Sequence, residues 1–428
     1  MVSLPNSLKL CNDLCMKQFC AALPLLLAST LLLAAAPALD VAAIDHDRIL
    51  SAADAALKMA PVTITAFRAK LSDGGPNDFY SNGDYWWPNP NTTNGLPYVR
   101  RDGQTNPENF VAHREVLRQL SDAVAALGAA YKITGDDRYA KKSAGLLKVF
   151  FLDEKTRMNP DLQYAQAIPG VSTGRGIGII DTLHLIEVPK AVEAMEKSPA
   201  FPPAVLAGLK KWFADYVEWM TTSKNGHDEA NAGNNHAVAF WLQVAVFAQF
   251  TGNEKDLAEC RRHFTGVFLP KQMAKDGSFP RELARTKPYG YSIFQLDNMV
   301  TLCQVLSPPA RSAGHQIGSF HRQAGQAIGA PSPREDLWHF TLPDGRNIHK
   351  AVDFMYPFLA DKSKWPHKPD VQAWDGWPAR QPSLLFAGLE FDEPQYLDLW
   401  KQLPADPTNE EVRRNIAITQ PILWLNQK

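Results

Sequence analysis

Apolar residues recur at helical spacing from about Asp45 onward, and the pattern predicts helices over 110–133, 139–151, 178–195, 203–222, 236–250, 256–273, 292–305 and 348–359. Strand-like alternation is scarce, so the expected fold class is all-α. Two helix ends share one design, at Tyr131-Lys132-Ile133-Thr134-Gly135-Asp136 and at Gln249-Phe250-Thr251-Gly252-Asn253-Glu254. Each has an aromatic side chain, a Thr, a Gly suited to a left-handed C-terminal position, and then acidic residues that open the next helix. Repeated helical hairpins stacked side by side must close into a ring or expose their end faces. An incomplete (α/α) toroid is therefore the expected architecture.

Long loops interrupt the helices. Residues 73–109 are dense in Gly, Pro, Asn and aromatics, and a loop of that length in a compact domain is functional or disordered. Tyr80, Tyr85, Trp86 and Trp87 argue against disorder. The runs Asp84-Tyr85-Trp86-Trp87 and Tyr98-Val99-Arg100-Arg101 suit two readings equally, a wall of a saccharide cleft and a hydrophobic cluster under the loop. A second loop, 157–175, holds Asn159, Tyr164 and Gln166 and leads into Gly174-Arg175-Gly176-Ile177-Gly178. That glycine run lacks the full dinucleotide fingerprint, and no strand is read before it, so nucleotide binding is rejected. The glycines are expected to let the backbone pass close to a ligand, with Gln166 and Arg175 reaching it.

The densest chemistry lies between Asn231 and Ser292. Asn234-Asn235-His236 stands at the start of the apolar run Ala237-Val238-Ala239-Phe240-Trp241-Leu242, where orphan N–H groups and the positive end of the helix dipole favour an anion. The bland alternative is an Asn cap and a structural His. Fifty residues on, Arg281, Arg285 and Lys287 precede Tyr289 and Tyr291 at a second helix entrance, and nearby cations are expected to lower a phenol's pKa.

The order Asn-Asn-His, then Asp276-Gly277-Ser278-Phe279-Pro280-Arg281-Glu282-Leu283-Ala284-Arg285-Thr286 and Tyr291-Ser292, resembles alginate-lyase-like polysaccharide lyases of α/α-toroid fold, most nearly polysaccharide lyase family thirty-eight. Asp84-Tyr85-Trp86-Trp87-Pro88, Ile133-Thr134-Gly135-Asp136, Met158-Asn159-Pro160 and Tyr164-Ala165-Gln166 extend the resemblance over most of the chain. It implies Asn235, His236, Arg285 and Tyr291 as catalytic residues. It also implies a uronic-acid polymer, alginate or glucuronan, as substrate. The Arg-to-Tyr spacing departs slightly from the family pattern, which leaves Tyr289 as a second phenol. Trp86, Trp87, Arg101, Gln166, Arg175, Asn234, Arg281 and Tyr289 are assigned to substrate binding.

Composition narrows the partners. A net charge of -1 over 428 residues, with a pI near 6.8, gives no general attraction to nucleic acid or membranes, so an anionic ligand must be attracted locally. Residues 1–39, with Lys17, the apolar stretch from Ala21 to Ala34 and the small residues after it, read as a signal peptide that begins at Met1 or at Met16. Export to the periplasm or outside follows, with 40–428 as a single catalytic domain and no stable membrane insertion. Cys11, Cys15 and Cys20 fall in the leader, while Cys260 and Cys303 read as buried thiols whose pairing is open. No Cys-x-x-Cys or His-Glu-x-x-His pattern occurs, and His315, His321, His339 and His349 show no ligand spacing, so neither metal nor cofactor is expected.

The expected reaction is β-elimination. It requires neutralising the C6 carboxylate, removing the C5 proton and protonating the departing O4. Asn235 and an arginine suit the first task, and His236 and Tyr291 the proton transfers. One Tyr suffices if base and acid act on the same side of the sugar; His236 is the base if they act on opposite sides. Two other classes compete. A toroidal glycoside hydrolase needs paired carboxylates, with Asp84, Asp276 and Glu282 available. A non-catalytic saccharide-binding protein needs only the aromatics.

Overall fold

A computed structural model describes residues 39–308 and 336–426. Residues 1–38 of the expected leader 1–39, with its three cysteines, and His315 and His321, lie outside the described residues.

The helices α1 (Val41–Lys58), α2 (Ala112–Thr134) and α3 (Asp137–Phe151) form the first packed group, with α1 and α3 both against α2. Gly135 ends α2 in the left-handed conformation at φ 70°, and Gly252 ends a later helix at φ 74°, as the shared Thr-Gly design requires. Asp136 then caps α3 by accepting from the Arg138 N–H. The expected helix 178–195 is divided: residues Gly176–Ile186 form 3-10 turns, and only α4 (Glu187–Met195) is α-helical. The ring continues through α5 (Pro203–Thr222), α6 (Lys224–Ala230), α7 (Asn235–Thr251) and α8 (Glu254–His263). Beyond α8, where a helix to Met273 is expected, Phe264–Gln272 is a π-helix containing Pro270, which has no N–H to donate. The short α9 (Pro280–Leu283) leads to α10 (Pro288–Leu306), followed by α11 (Ile348–Ala360), α12 (Pro382–Glu390), α13 (Pro394–Gln402) and α14 (Glu410–Asn415).

Helix α7 packs against α5, α8 and α10, and α10 in turn against α12, so these two central helices are buried on nearly every face. The packing continues around a toroid-like all-α scaffold. Cys260 and Cys303 are buried free thiols within it, and no described helix is long and apolar enough to cross a membrane.

Among the described residues, four short strands decorate the helices. The strand β1 (Tyr80–Asn82) pairs in parallel with β4 (Tyr164–Ala167), and β2 (Trp86–Trp87) pairs antiparallel with β3 (Val99–Arg100), placing Trp86 opposite Arg100. A strand therefore does precede the glycine run, contrary to expectation, although it leads into 3-10 turns rather than a dinucleotide-binding helix. Those glycines meet protein, not ligand. A Cβ on Gly174 would collide with the Gln163 carbonyl, one on Gly176 with the Asn225 carbonyl, and one on Gly178 with Ala165.

The last described residues pack back against the first helices of the scaffold. The turn Pro421–Trp424 packs against α1, α2 and α4, and the buried Glu187 carboxylate accepts from Thr419 N at 2.9 Å, Thr419 Oγ1 at 2.5 Å and Gln420 N at 2.9 Å. Lys132 Nζ donates to the carbonyls of Ile422 and Leu425.

Burial pushes Glu187 up to about 7, and the three donors only partly offset it. The folded value exceeds that of a free carboxyl, so this group's stabilisation is complete below the unfolded value and is lost as pH rises through about 7. Thermal melting followed between about pH 5 and pH 8 is expected to show a falling midpoint, with the slope reduced in Glu187→Gln. Glu187→Ala, which strands several buried donors, is expected to cost at least about 3 kcal/mol in urea unfolding.

Candidate functional site

Asn235 and His236 are the first two residues of α7, and two buried carboxylates fix them. The Asn235 N–H donates to Glu282 Oε1 at 2.8 Å and its Nδ2 to Glu282 Oε2 at 2.5 Å. Asn234 occupies the N-cap position but makes no side-chain cap bond, so Glu282, from α9, caps this helix in its place. Glu282, offered above as a carboxylate for hydrolysis, is thus engaged as a cap. Burial raises its pKa, against the Asn235 bonds and Arg285. His236 Nδ1 lies 2.7 Å from Oε1 of Glu229 on α6. Burial opposes the imidazolium, but Glu229, with Glu282 behind it, outweighs burial and Arg285, and the net shift is upward.

Tyr291 lies inside the first turn of α10, not ahead of the helix as its Tyr-Ser pattern suggests, because the helix already starts at Pro288. Its Oη is 2.7 Å from Tyr85 Oη, and Arg285 Nη2 donates to it at 3.3 Å with the guanidinium 4.5 Å from the ring centre. Asp102 holds Arg285 at 3.1 Å and also accepts from Thr286 Oγ1. Lys287 Nζ bonds Glu411 at 2.6 Å and reaches Tyr85 Oη at 3.4 Å. The expectation that clustered cations lower the phenol fails: burial, reinforced by Tyr85, pushes Tyr291 well above the usual tyrosine value, and Arg285 offsets this only in part.

A cleft of about 310 Å³ gathers all four catalytic candidates, Asn235, His236, Arg285 and Tyr291. Asn234, Trp86, Gln166 and Arg175 also line it. Buried Gln166, held at the left-handed φ of 48°, donates to Asp181 at 3.1 Å while its carbonyl accepts from Arg175 Nε at 2.8 Å. Gln166 thereby aims Arg175 past Trp86, whose ring centre is 5.9 Å away. Burial lowers Arg175 to about 10, which still leaves it charged at neutral pH.

Four substrate-binding assignments fall outside this cleft. Exposed Arg101 stacks on Trp87 at 4.7 Å, and Trp87 Nε1 donates to the Gln104 carbonyl, so this pair forms a neighbouring surface. Arg281 is exposed with its guanidinium against Gly233. Tyr289 is fully buried: its Oη donates to the Phe358 carbonyl at 2.9 Å and its ring packs on Trp365 and Trp374, so its assignment to substrate is corrected to packing.

Sequence reading missed Glu229, Asp102, Arg114 and Arg414. Arg114 and Arg414 line the cleft and bind Asp84 at 2.9 and 3.0 Å. Burial works against ionisation of Asp84, but the two arginines and Lys287 prevail and hold it at about 2. None of the three carboxylates offered for hydrolysis stands free as an acid or base: Asp84 is doubly ion-paired, Glu282 clamps Asn235, and Asp276 accepts from Ser278 N and Oγ in a turn. His339 does meet Asp336 and Glu390, with ligand atoms within 4.8 Å, a grouping that its sequence spacing did not signal; these residues do not line the cleft.

The sequence profile of the alginate lyase family matches residues 63–331. An alginate lyase from Bacteroides ovatus is 35% identical and superposes with a TM-score of 0.71, covering 88% of this chain and 93% of its own. A variant of alginate lyase A1-III complexed with tetrasaccharide is 16% identical at a TM-score of 0.41, covering 64% of this chain and 69% of its own. No curated protein matches the chain.

Tyr289→Phe separates packing from chemistry at the two phenols. It is expected to leave the chemistry of the cleft unchanged and to cost about 1 kcal/mol in unfolding free energy, the value of the hydrogen bond to Phe358.

Proposed function

The chain belongs to the alginate lyase family and is a polysaccharide lyase, and we propose that it cleaves a uronic-acid polymer, alginate or glucuronan, by β-elimination. The observation that carries this reading is the convergence of Asn235, His236, Arg285 and Tyr291 on one cleft, with each polar group supported by a buried or ion-paired neighbour. We place a leader at residues 1–39 and the catalytic domain at 40–428, acting in the periplasm or outside the cell.

The C5 proton is acidified by the adjacent carboxylate only when that group's charge is offset, because the enediolate otherwise accumulates negative charge. Asn235, with one amide N–H spent on Glu282 and the other available, and Arg285 offset it. The base takes the proton from C5, the electron pair forms the C4–C5 double bond, the C4–O4 bond breaks, and O4 leaves with a proton. His236 and Tyr291 supply these transfers. The elevated phenol pKa of Tyr291 suits delivery of a proton to O4. Trp86 offers a face for a sugar ring, and Arg175 a further cation for a carboxylate.

These side chains cover charge neutralisation and both proton transfers. Incubation with alginate or glucuronan is therefore expected to raise ultraviolet absorbance from the new double bond, with a chelator present or absent. New reducing ends on a neutral polysaccharide without that absorbance would establish hydrolysis instead. Tyr291→Phe is expected to lower the elimination rate by about 10²–10⁴-fold while the unfolding free energy changes by only about 1 kcal/mol. Arg285→Ala is expected to damage both kcat and KM, because the cation acts on ground and transition states alike. Wild-type rates in either variant would remove that residue from the mechanism.

A further inference from the structure

Glu229 is among the most buried carboxylates of the protein, 1% exposed, and it sits on the short helix α6 rather than on the elements that carry the reacting groups. Only one of its oxygens is engaged by a side chain: Oε1 meets His236 Nδ1 at 2.7 Å, whereas Oε2 has no partner. Burial of a carboxylate with an unused oxygen is unfavourable for stability alone. The helix is nonetheless anchored so that the carboxylate cannot swing away. Ser223 caps it through Gly226 N at 3.0 Å, the Ala230 carbonyl accepts from Trp241 Nε1 of α7, and Gly226 lies so close to the Met220 carbonyl that a side chain there would collide.

We propose that Glu229 is a positioning residue for the elimination reaction, one that takes the Nδ1 proton of His236 and so presents the bare Nε2 lone pair to the cleft as the base for C5. The inference rests on the β-elimination reading and deepens it. A carboxylate only accepts hydrogen bonds, so a contact of this length requires hydrogen on Nδ1. In the neutral ring the other nitrogen is then the acceptor. The imidazole side chain is 21% exposed, against 1% for Glu229, which leaves the ring the only one of the pair with a face toward the cleft. Proton abstraction leaves an imidazolium directly against Glu229, and the carboxylate stabilises that charge as it forms.

The charged groups facing His236 are Glu229 from α6, Glu282 from α9 and Arg285 from the segment before α10. Glu229 is the principal one that favours the imidazolium. Removing its charge while keeping an acceptor, as Glu229→Gln does, leaves burial and Arg285 working against the imidazolium with Glu282 alone favouring it. The acidic limb of the kcat/KM profile, which reports the free base, must then move to lower pH by roughly 1–3 units, the usual effect of one adjacent opposite charge.

Two measurements test this. The tautomer is read directly by nitrogen NMR on wild-type protein carrying labelled histidine, with the His236 signal assigned through His236→Asn. A neutral ring protonated at Nδ1 supports the proposal, and one protonated at Nε2 overturns it whether or not the protein has activity on uronans. The pH profile of elimination is then compared for wild type and Glu229→Gln, with circular dichroism establishing that the variant is folded. A downshifted acidic limb with KM little changed supports the positioning role. An unshifted limb overturns it, and if the variant does not fold the tautomer alone decides. Absence of elimination by wild type would sink the functional reading while leaving the tautomer assignment to stand or fall separately.

Discussion

The structure depends on a constraint at the start of α7: a helix buried on nearly every face must still project polar chemistry from its first turn. Its leading N–H groups have no intrahelical acceptor, and with Asn235 only 2% exposed an uncapped end there is costly. Glu282 resolves this from outside the helix, taking both the Asn235 N–H and its side-chain amide. The same solution recurs at α10, where Asp370 accepts from the Tyr289 and Gly290 N–H groups at 2.9 and 2.8 Å. Capping and site geometry are therefore one set of bonds. The carboxylate that stabilises each helix end also fixes the direction in which the first turn points, so Asn235 and Tyr291 enter the cleft from rigid elements.

Electrostatic intuition drawn from sequence fails at this site for a related reason. Arg281, Arg285 and Lys287 lie within seven positions and suggest a strong positive field at the phenols. In the fold Arg281 faces outward, Arg285 is paired with Asp102, and Lys287 with Glu411. Little uncompensated charge reaches Tyr291, and desolvation prevails. His236 shows the opposite balance, because a carboxylate in direct contact outweighs burial. Proximity in sequence counts charges, whereas the sign of a shift depends on which of them are already neutralised.

That distinction also governs how much was legible. The helix 203–222 follows from its pattern end to end because its apolar stripe is one-sided. The run 178–195 has helical spacing, but Gly176 and Gly178 lie too close to neighbouring backbone for any side chain, and its first half takes 3-10 geometry. The first helix was hidden by its position beside the leader, and α6, α12, α13 and α14 by their shortness. Asn235, His236, Arg285 and Tyr291 were readable because each pair lies within a few positions and resembles a family pattern. Their partners were not: Glu229 sits on a separate helix, Asp102 is 183 positions from Arg285, and Asp370 is 81 from Tyr289.

The most distant contribution comes from the chain end. Helix α14 sends Arg414 to Asp84 and Glu411 to Lys287, and through Lys287 it reaches the Tyr85 hydroxyl that touches Tyr291. The segment after α14 is held by Glu187 and Lys132, whose bonds to residues 419–425 tie it to α4 and α2. A stack of helical hairpins with open ends would expose apolar faces, so closure against α1, α2 and α4 serves stability first. Helix α14, just ahead of that closure, brings Arg414 to the cleft lining and Glu411 to Lys287. Closure of the ring and completion of the site are thus neighbours along the chain, although Glu187 itself does not line the cleft.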